Sequence, residues 1–431
     1  MVIGSPLSLR LILASISALL WTLCCPDSVA AQPNILLILA DDMGYSDAGC
    51  FGGGMKTPSI DRLAREGVRL TQFRNGGMCV VSRSSLLTSR WWPKMRTNFT
   101  KTPLLSETLK AAGYRTGLIG KWHLRGHPID RGFDHFFGLM NGAADHFHGN
   151  GEFQYDKTPF KEFGSDWYSA DAFSDRAISF VTQRPTAEPE KPFFLYLSYQ
   201  TPHSPLQAPK EDIMKNRGKY LSGWQAIREA RFEKQKQLGL FPADATLPDY
   251  PENLPHWDSL TRAQRDLEDL RMATYAAMVE RMDKGIGRVI SALEEHGKLD
   301  NTLIVFLSDN GTDPFHSASE AMLARDKLPG DPGSNWQPGF GWAYASVTPW
   351  RLYKISQHAG GVTTGAVIRY PGHTGEQGRI EHSSVHLVDL MPTFLEVAGQ
   401  STDGRKLEGE SFMPLLKGEP WRLVNRYPVR E

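Results

Sequence analysis

Cysteine is scarce in this chain. Four occur in 431 residues, and Cys24 and Cys25 fall in the amino-terminal apolar segment, so only Cys50 and Cys79 belong to the body. Two cysteines do not make a disulfide framework even in an oxidising compartment, so the fold must rest on its own core. Net charge is absent as well: Lys+Arg and Asp+Glu number 48 each, which excludes a global field for nucleic acid or an anionic membrane. No internal repeat or low-complexity tract is present, which sets repeat architectures aside. Long apolar runs are missing too. The one candidate, "LILASISALLWTL" (residues 11–23), is shorter than the roughly 20 residues a spanning helix needs. With Arg10 before it and the small residues of "SVAAQ" after it, residues 1–31 read as an export signal. Cleavage near Ala30 or Ala31 predicts a secreted or periplasmic protein without a stable membrane anchor.

What is present is a globular composition. Hydrophobic residues make up 40% and aromatics 10%, and 431 residues suffice for one large domain or two ordinary ones. "PNILLILADDMG" carries an unbroken apolar run over residues 35–40, the pattern of a strand buried on both faces of a parallel sheet. "RTGLIGKWH", "KPFFLYLSYQTPH" and "NTLIVFLSDNG" read as further strands. "TPSIDRLAREG" predicts a short helix capped by Ser59 and stopped by Gly67, and "LSETLKAAGY" another capped by Ser106 and ended by Gly113. A long helix is expected from Thr261 to His296, closed by Gly297, and "HLVDLMPTFLEVAGQ" reads as helical with Pro392 near its first turn. The polar, proline-rich residues 210–260 read as an excursion over the surface, bordering a substrate cleft. The Gly- and Trp-rich "DPGSNWQPGFGWAYASVTPW" reads as loop, with residues 335–350 contributing to that cleft. Strands alternating with helices predict a layered α/β fold, in which ligands gather beyond the carboxyl ends of the strands.

Several of those strands finish in groups that do chemistry. The first ends in Asp41-Asp42, the next in Lys121 and His123, another in His203, and a later one in Asp309-Asn310. Adjacent carboxylates repel, and burying them together is costly unless a cation lies between them. Asp41, Asp42, Asp309 and Asn310 offer only oxygen ligands, which favours Ca²⁺ or Mg²⁺ over zinc. Lys121 and His123, two residues apart, would share one face of a strand. His203 lies in "TPHSP", where prolines stiffen the backbone, and Lys354 lies in "RLYKISQHAGG". Lysine, histidine and arginine beside a metal ion make an anion site, suited to phosphate or sulfate esters.

One stretch remains, "GGMCVVSRSSLLTSR", where a lone thiol sits among hydroxyls and guanidinium groups. It resembles the type I sulfatase signature C-x-P-S-R-x-x-L-x-T-G-R, with Cys79, Ser82, Arg83, Leu86, Thr88 and Arg90 matching. "ILADDMG", "GKWH", "TPHSP", "LSDNG" and the lysine of "RLYKISQHAGG" follow in the order of that family, and the likeness spans residues 33–400. It implies an alkaline phosphatase-like fold: a large, mixed, mostly parallel sheet flanked by helices. It also implies a sulfuric ester hydrolase acting on an aryl or carbohydrate sulfate. In the family the signature cysteine becomes formylglycine, made by a formylglycine-generating enzyme, and its hydrate attacks sulfur. Carried over, Asp41, Asp42, Asp309, Asn310 and residue 79 would bind the ion, usually Ca²⁺, with Mg²⁺ the alternative. Arg83 would hold the diol, His123 act as base, Lys121 and Lys354 grip sulfate oxygens, and His203 protonate the leaving oxygen.

This chain departs from the pattern at Val81 (commonly proline), Ser89 (glycine) and Ala359 (glutamate). The chain stops at Glu431, soon after "SFMPLLKGEPWR", and residues 32–400 are expected to form the catalytic domain. Residues 401–431 would begin a C-terminal region whose antiparallel subdomain is missing or truncated. The partners expected are a sulfated small molecule or polysaccharide and the modifying enzyme. Two other readings stand beside this one: a phosphatase or phosphonate hydrolase of the same superfamily, and a non-catalytic binder of sulfated glycans.

Overall fold

The computed structural model describes Met1 and residues 32–183, 191–316 and 319–421, so the expected export signal lies almost wholly outside the described residues, as does the end of the C-terminal region. An 11-stranded sheet organises the body. Its strands are β1 (Asn34–Asp41), β2 (Val68–Arg74), β3 (Arg115–Gly120), β4 (His135–Leu139), β5 (Phe153–Tyr155), β6 (Thr158–Pro159), β7 (Phe193–Pro202), β8 (Thr302–Ser308), β9 (Thr363–Arg369), β10 (Arg379–Glu381) and β11 (Val385–His386). They lie in the order β10-β2-β9-β8-β1-β7-β3-β4-β5-β6, with β11 also paired to β2. The centre, β8-β1-β7-β3-β4, is parallel throughout, while β9 and the β5-β6 hairpin run antiparallel. The sheet is thus mixed and mostly parallel, as the sequence implied.

Burial on both faces explains the continuous apolar runs. Leu36, Ile38 and Ala40 of β1 join one core cluster with Met278, Met282 and Ile286 of the long helix. Ile35, Leu37 and Leu39, alternating with them, join a second cluster with Leu105, Leu109 and Phe394. The long helix runs Arg262–Glu295 as expected, capped by Thr261, whose hydroxyl accepts from the Gln264 N–H while the Gln264 side chain accepts from the Thr261 N–H.

Four local expectations are corrected. The cap of Pro58–Glu66 is Thr57, not Ser59, because Pro58 suits the first helical position. Leu105–Ala111 is capped at Leu104, with Glu107 accepting from its N–H, and Ser106 instead donates to the Arg131 carbonyl. Residues 210–260 are no plain surface excursion. They contain the helix Gly223–Gln237, whose buried Arg228 donates to the carbonyls of Tyr344 and Pro349 and whose Arg231 pairs with Asp47 at 2.8 Å. Finally, the Trp-rich segment 335–350 folds around the helix Gly339–Ser346 and packs into the core: Trp336 and Trp342 are buried, their indole N–H groups donating to the carbonyls of Lys327 and Glu268. Those two tryptophans therefore line no cleft.

Residues 412–416 end the described body with Phe412, Met413, Leu415 and Leu416 packed into the second cluster. Among the described residues no helix is long and apolar enough to cross a membrane.

The helix Pro58–Glu66 receives an unusual cap from another element. Asp283 of the long helix accepts from the Ser59 and Ile60 N–H groups at 3.0 and 2.8 Å. Asp283→Ala leaves the buried Ile60 N–H and the half-buried Ser59 N–H without their acceptor and is expected to cost about 1–3 kcal/mol, measurable as a lower urea midpoint with unchanged slope.

Candidate active site

The site is built where parallel strands end. Asp41 is the last residue of β1, Lys121 follows β3, His203 follows β7 and Asp309 follows β8, so four neighbouring strands deliver their polar residues to one edge. Backbone bonds pin the exits: Lys121 N–H donates to Ser198 O at 2.7 Å and Asp309 N–H to Ala40 O at 3.1 Å. Asp42 has φ 67°, a left-handed conformation that turns the chain sharply and lets two successive carboxylates face inward. Lys121 and His123 are both beside the cluster, but not as alternate residues of a strand. β3 ends at Gly120, Trp122 is buried, and His123 is left-handed at φ 55°.

Cys79 enters from a helix that the sequence reading left unassigned. It is the first residue of Cys79–Thr88, with Met78 extended before it. The helix is tied to the strand ends by its own hydroxyls. Ser82 Oγ accepts from the Gly76 N–H at 2.8 Å and donates to Asp309 O at 2.5 Å. Ser89 closes the helix in the left-handed region (φ 52°) that glycine usually fills, and its hydroxyl donates to Val388 O at 2.7 Å. Val81 lies in the first turn, where no carbonyl inside the helix awaits its N–H, so the folded helix does not distinguish valine from proline there.

Every candidate charge lands in one buried cluster. Lys121 Nζ donates to Asp41 Oδ2 at 2.5 Å. Arg83 Nε donates to Asp309 Oδ2 at 3.0 Å, and its Nη2 lies 2.9 Å from that oxygen and 3.7 Å from Asp41 Oδ2. Lys354 Nζ sits 2.7 and 2.8 Å from the two oxygens of Asp42. Asn310 Nδ2 donates to Asp42 Oδ1 at 2.6 Å, and His203 Nε2 is 3.5 Å from Asp42 Oδ2. The Ser204 carbonyl, 2.6 Å from His203 Nδ1, holds that nitrogen as donor and leaves Nε2 facing the cluster.

Three carboxylates thus meet three fixed cations with almost no solvent access. Burial alone would raise the Asp41 carboxyl, but Lys121, His203, Arg83 and Lys354 outweigh it and hold it well below the ordinary range. Asp309, pushed up by burial and by Asp41, reaches about 7. Burial and the neighbouring Lys354 lower His203 to about 3, and burial with Lys121 and Arg83 does the same to His123. Burial also pushes the Cys79 thiol up, so the unmodified side chain is a poor nucleophile.

The oxygen donors fit a hard divalent cation. Asp41 Oδ1 and Asn310 Oδ1 are buried acceptors with no hydrogen-bond partner, which is unusual for such groups and points to an electropositive occupant. Asp41, Asp42 and His203 place ligand atoms within 4.8 Å of one another. The Asp309 carboxylate is more committed: one oxygen takes Arg83, and the other accepts from the Asp42 N–H at 3.3 Å.

Sequence reasoning missed the residues that hold Arg83. Its Nη1 donates to Ser198 Oγ at 2.5 Å and to Lys121 O at 3.0 Å, with Tyr196 Oη at 3.5 Å. The alternation of Tyr196 and Ser198 on one face of β7 was the available signal. Ala359 begins a short helical turn beyond Lys354 and leaves that lysine's pairing with Asp42 intact.

The family model described as Sulfatase matches residues 33–400. An uncharacterized sulfatase of Schizosaccharomyces pombe is 34% identical over 93% of this chain and 81% of its own length. An arylsulfatase of Klebsiella aerogenes is 34% identical over 89% of this chain and 90% of its own. The crystal structure of Ps i-CgsB in complex with k-i-k-neocarrahexaose superposes with a TM-score of 0.65 at 27% identity, covering 90% of this chain and 77% of that one.

Removing one member of a buried ion pair strands the other. Arg83→Leu leaves Asp309 without its cation and is expected to destabilise the protein by about 3–5 kcal/mol, read as a lowered denaturation midpoint; a loss below about 1 kcal/mol would mean the pair is solvated.

Proposed function

The chain belongs to the sulfatase family, and from that premise we propose that this sulfuric ester hydrolase attacks aryl or carbohydrate sulfate esters with a nucleophile built on residue 79. The observation that carries the reading is the convergence of Lys121, Lys354, Arg83 and His203 with three carboxylates around Cys79 at the strand ends. The raised thiol pKa supports a precursor role: oxidation of Cys79 to formylglycine by a formylglycine-generating enzyme, followed by hydration, supplies a diol in place of an inert thiol.

Lys121 and Lys354 carry the donors for sulfate oxygens, and both sit on carboxylates of the ion site. Arg83, fixed by Asp309 and Ser198, orients one diol hydroxyl. That hydroxyl gives up its proton to solvent, its oxygen attacks sulfur, the bond from sulfur to the alcohol oxygen breaks, and His203 Nε2 delivers the proton the alcohol needs. Burial, with the field of Lys354 and Lys121, keeps His203 neutral, and an arriving sulfate anion offsets the field part of that effect, which favours loading the proton. His123 then takes the proton of the second hydroxyl, sulfate leaves, and the aldehyde is restored. Asp41, Asp42, Asp309 and Asn310, with residue 79, would hold a Ca²⁺ ion, Mg²⁺ being the alternative, and the ion supplies polarisation of a sulfate oxygen and a lowered hydroxyl pKa. The leader pattern of residues 1–31 supports a secreted or periplasmic location, and residues 32–400 would be the catalytic domain, ahead of the C-terminal region.

Mass spectrometry of the peptide carrying residue 79, with turnover of an aryl sulfate against an aryl phosphate, tests the reading. Aldehyde and a clear sulfate preference are expected; an intact thiol without turnover favours the glycan binder, and phosphate preference favours the phosphatase. His203→Ala should lower kcat by about 10²–10⁴, with the larger losses for alcohols of high pKa. Calcium at a hundredfold excess over its dissociation constant should stabilise folding by about 2.7 kcal/mol, an EDTA-reversible rise in Tm that Asp41→Asn abolishes.

A further inference from the structure

Two apolar side chains beside the catalytic cluster are displayed to solvent at a backbone cost. Leu352 and Ile355 flank Tyr353-Lys354, have φ of 57° and 65°, and are 41% and 55% exposed. A left-handed conformation is rare for any side chain and an outlier for a β-branched one. Such strain persists where the surroundings impose it, and it clusters at ligand sites. Here the backbone imposes it: the Ile355 N–H donates to Gly77 O at 2.7 Å while the Lys354 N–H donates to Thr312 O at 3.2 Å. The result is that Lys354 points inward to Asp42 and its neighbour Ile355 points outward.

What Ile355 faces is a cavity of about 380 Å³, walled chiefly by Met78, Val81, Trp91, Trp92, Pro93 and Ile355. Met78 immediately precedes Cys79 and is itself 38% exposed, so the chain segments that present Cys79 and Lys354 to sulfate present their next residues to this cavity. Its size and its apolar, aromatic lining with a few polar groups are those of a small-molecule site.

We propose that this cavity binds the alcohol side of the sulfate ester and selects alcohols with an extended apolar or aromatic face. The assignment rests on the sulfatase reading and deepens it, because the apolar faces of Trp92, Pro93 and Ile355 favour an alcohol that brings apolar or aromatic surface out of water.

Phenyl sulfate and 2-naphthyl sulfate have leaving groups of similar acidity and differ in apolar area, so they isolate the cavity from the chemistry. With the full-length, converted protein, kcat/KM for the naphthyl ester should exceed that for the phenyl ester about tenfold through KM. Trp92→Ala and Ile355→Gly should bring the ratio near one, chiefly by raising KM for the naphthyl ester. Ile355→Gly relieves the left-handed strain, so its unfolding midpoint should not fall, which separates lost binding from lost folding. Binding of 2-naphthol, followed by quenching of tryptophan fluorescence, needs no converted Cys79 and should weaken in Trp92→Ala. An unchanged naphthyl-to-phenyl ratio in both variants overturns the cavity assignment. Trp92-dependent naphthol binding without turnover of any sulfate ester would overturn the hydrolase reading and sustain the cavity.

Discussion

Three carboxylates held out of water at the ends of β1 and β8 are the constraint on which the rest of this structure depends. Each buried charge costs several kcal/mol of lost hydration, and attraction between opposite charges repays this only in good geometry. Asp41, Asp42 and Asp309 are therefore met by Lys121, Arg83 and Lys354, each from a different part of the chain. One comes from the exit of β3, one from the Cys79–Thr88 helix and one from the loop before β9. Since a buried ion pair is weak evidence of stabilisation, the cluster is better understood as a cost the fold carries for its chemistry.

The fold supplies what that cost requires. A parallel centre, apolar on both faces, aims β1, β3, β7 and β8 at a single edge, so their terminal polar residues must meet. The helix that carries Cys79 is then tied to this edge by Ser82 on Asp309 and by Arg83 between Asp309 and Ser198. The hydroxyls and guanidinium of the signature stretch thus act as fasteners as well as site groups. Val81, half-buried against the neighbouring cavity, has no such fastening task in the folded protein.

Buried arginines are what the reading of residues 210–260 as a surface excursion did not register. Residues 223–237 look like a solvated segment because they are rich in Arg, Lys, Glu and Gln. In the structure Arg228 and Arg231 are buried, with Nη donors of Arg228 bonded to carbonyls and Nη1 of Arg231 paired with Asp47. Composition cannot register this, because a planar group with five donors can be buried wherever backbone carbonyls converge, and that convergence is tertiary. The tryptophans of 335–350 misled in the opposite sense: an aromatic in a glycine-rich segment looks available, yet Trp336 and Trp342 fill the core.

The sequence by itself determined the buried strands, the long helix with its stop at Gly297, and the identity of the charged groups. These follow from local rules: apolar runs, cap chemistry and the residues that directly follow each run. It also determined the family, through motifs whose order survives without knowledge of their distances. Tertiary structure decided the rest. Asp309 faces Arg83 while Asp42 faces Lys354, His123 reaches the cluster through a left-handed turn instead of strand alternation, and Ile355 is forced outward where Lys354 is forced inward. Those outcomes depend on which backbone groups of distant segments bond to one another, and no local pattern in the chain encodes that choice.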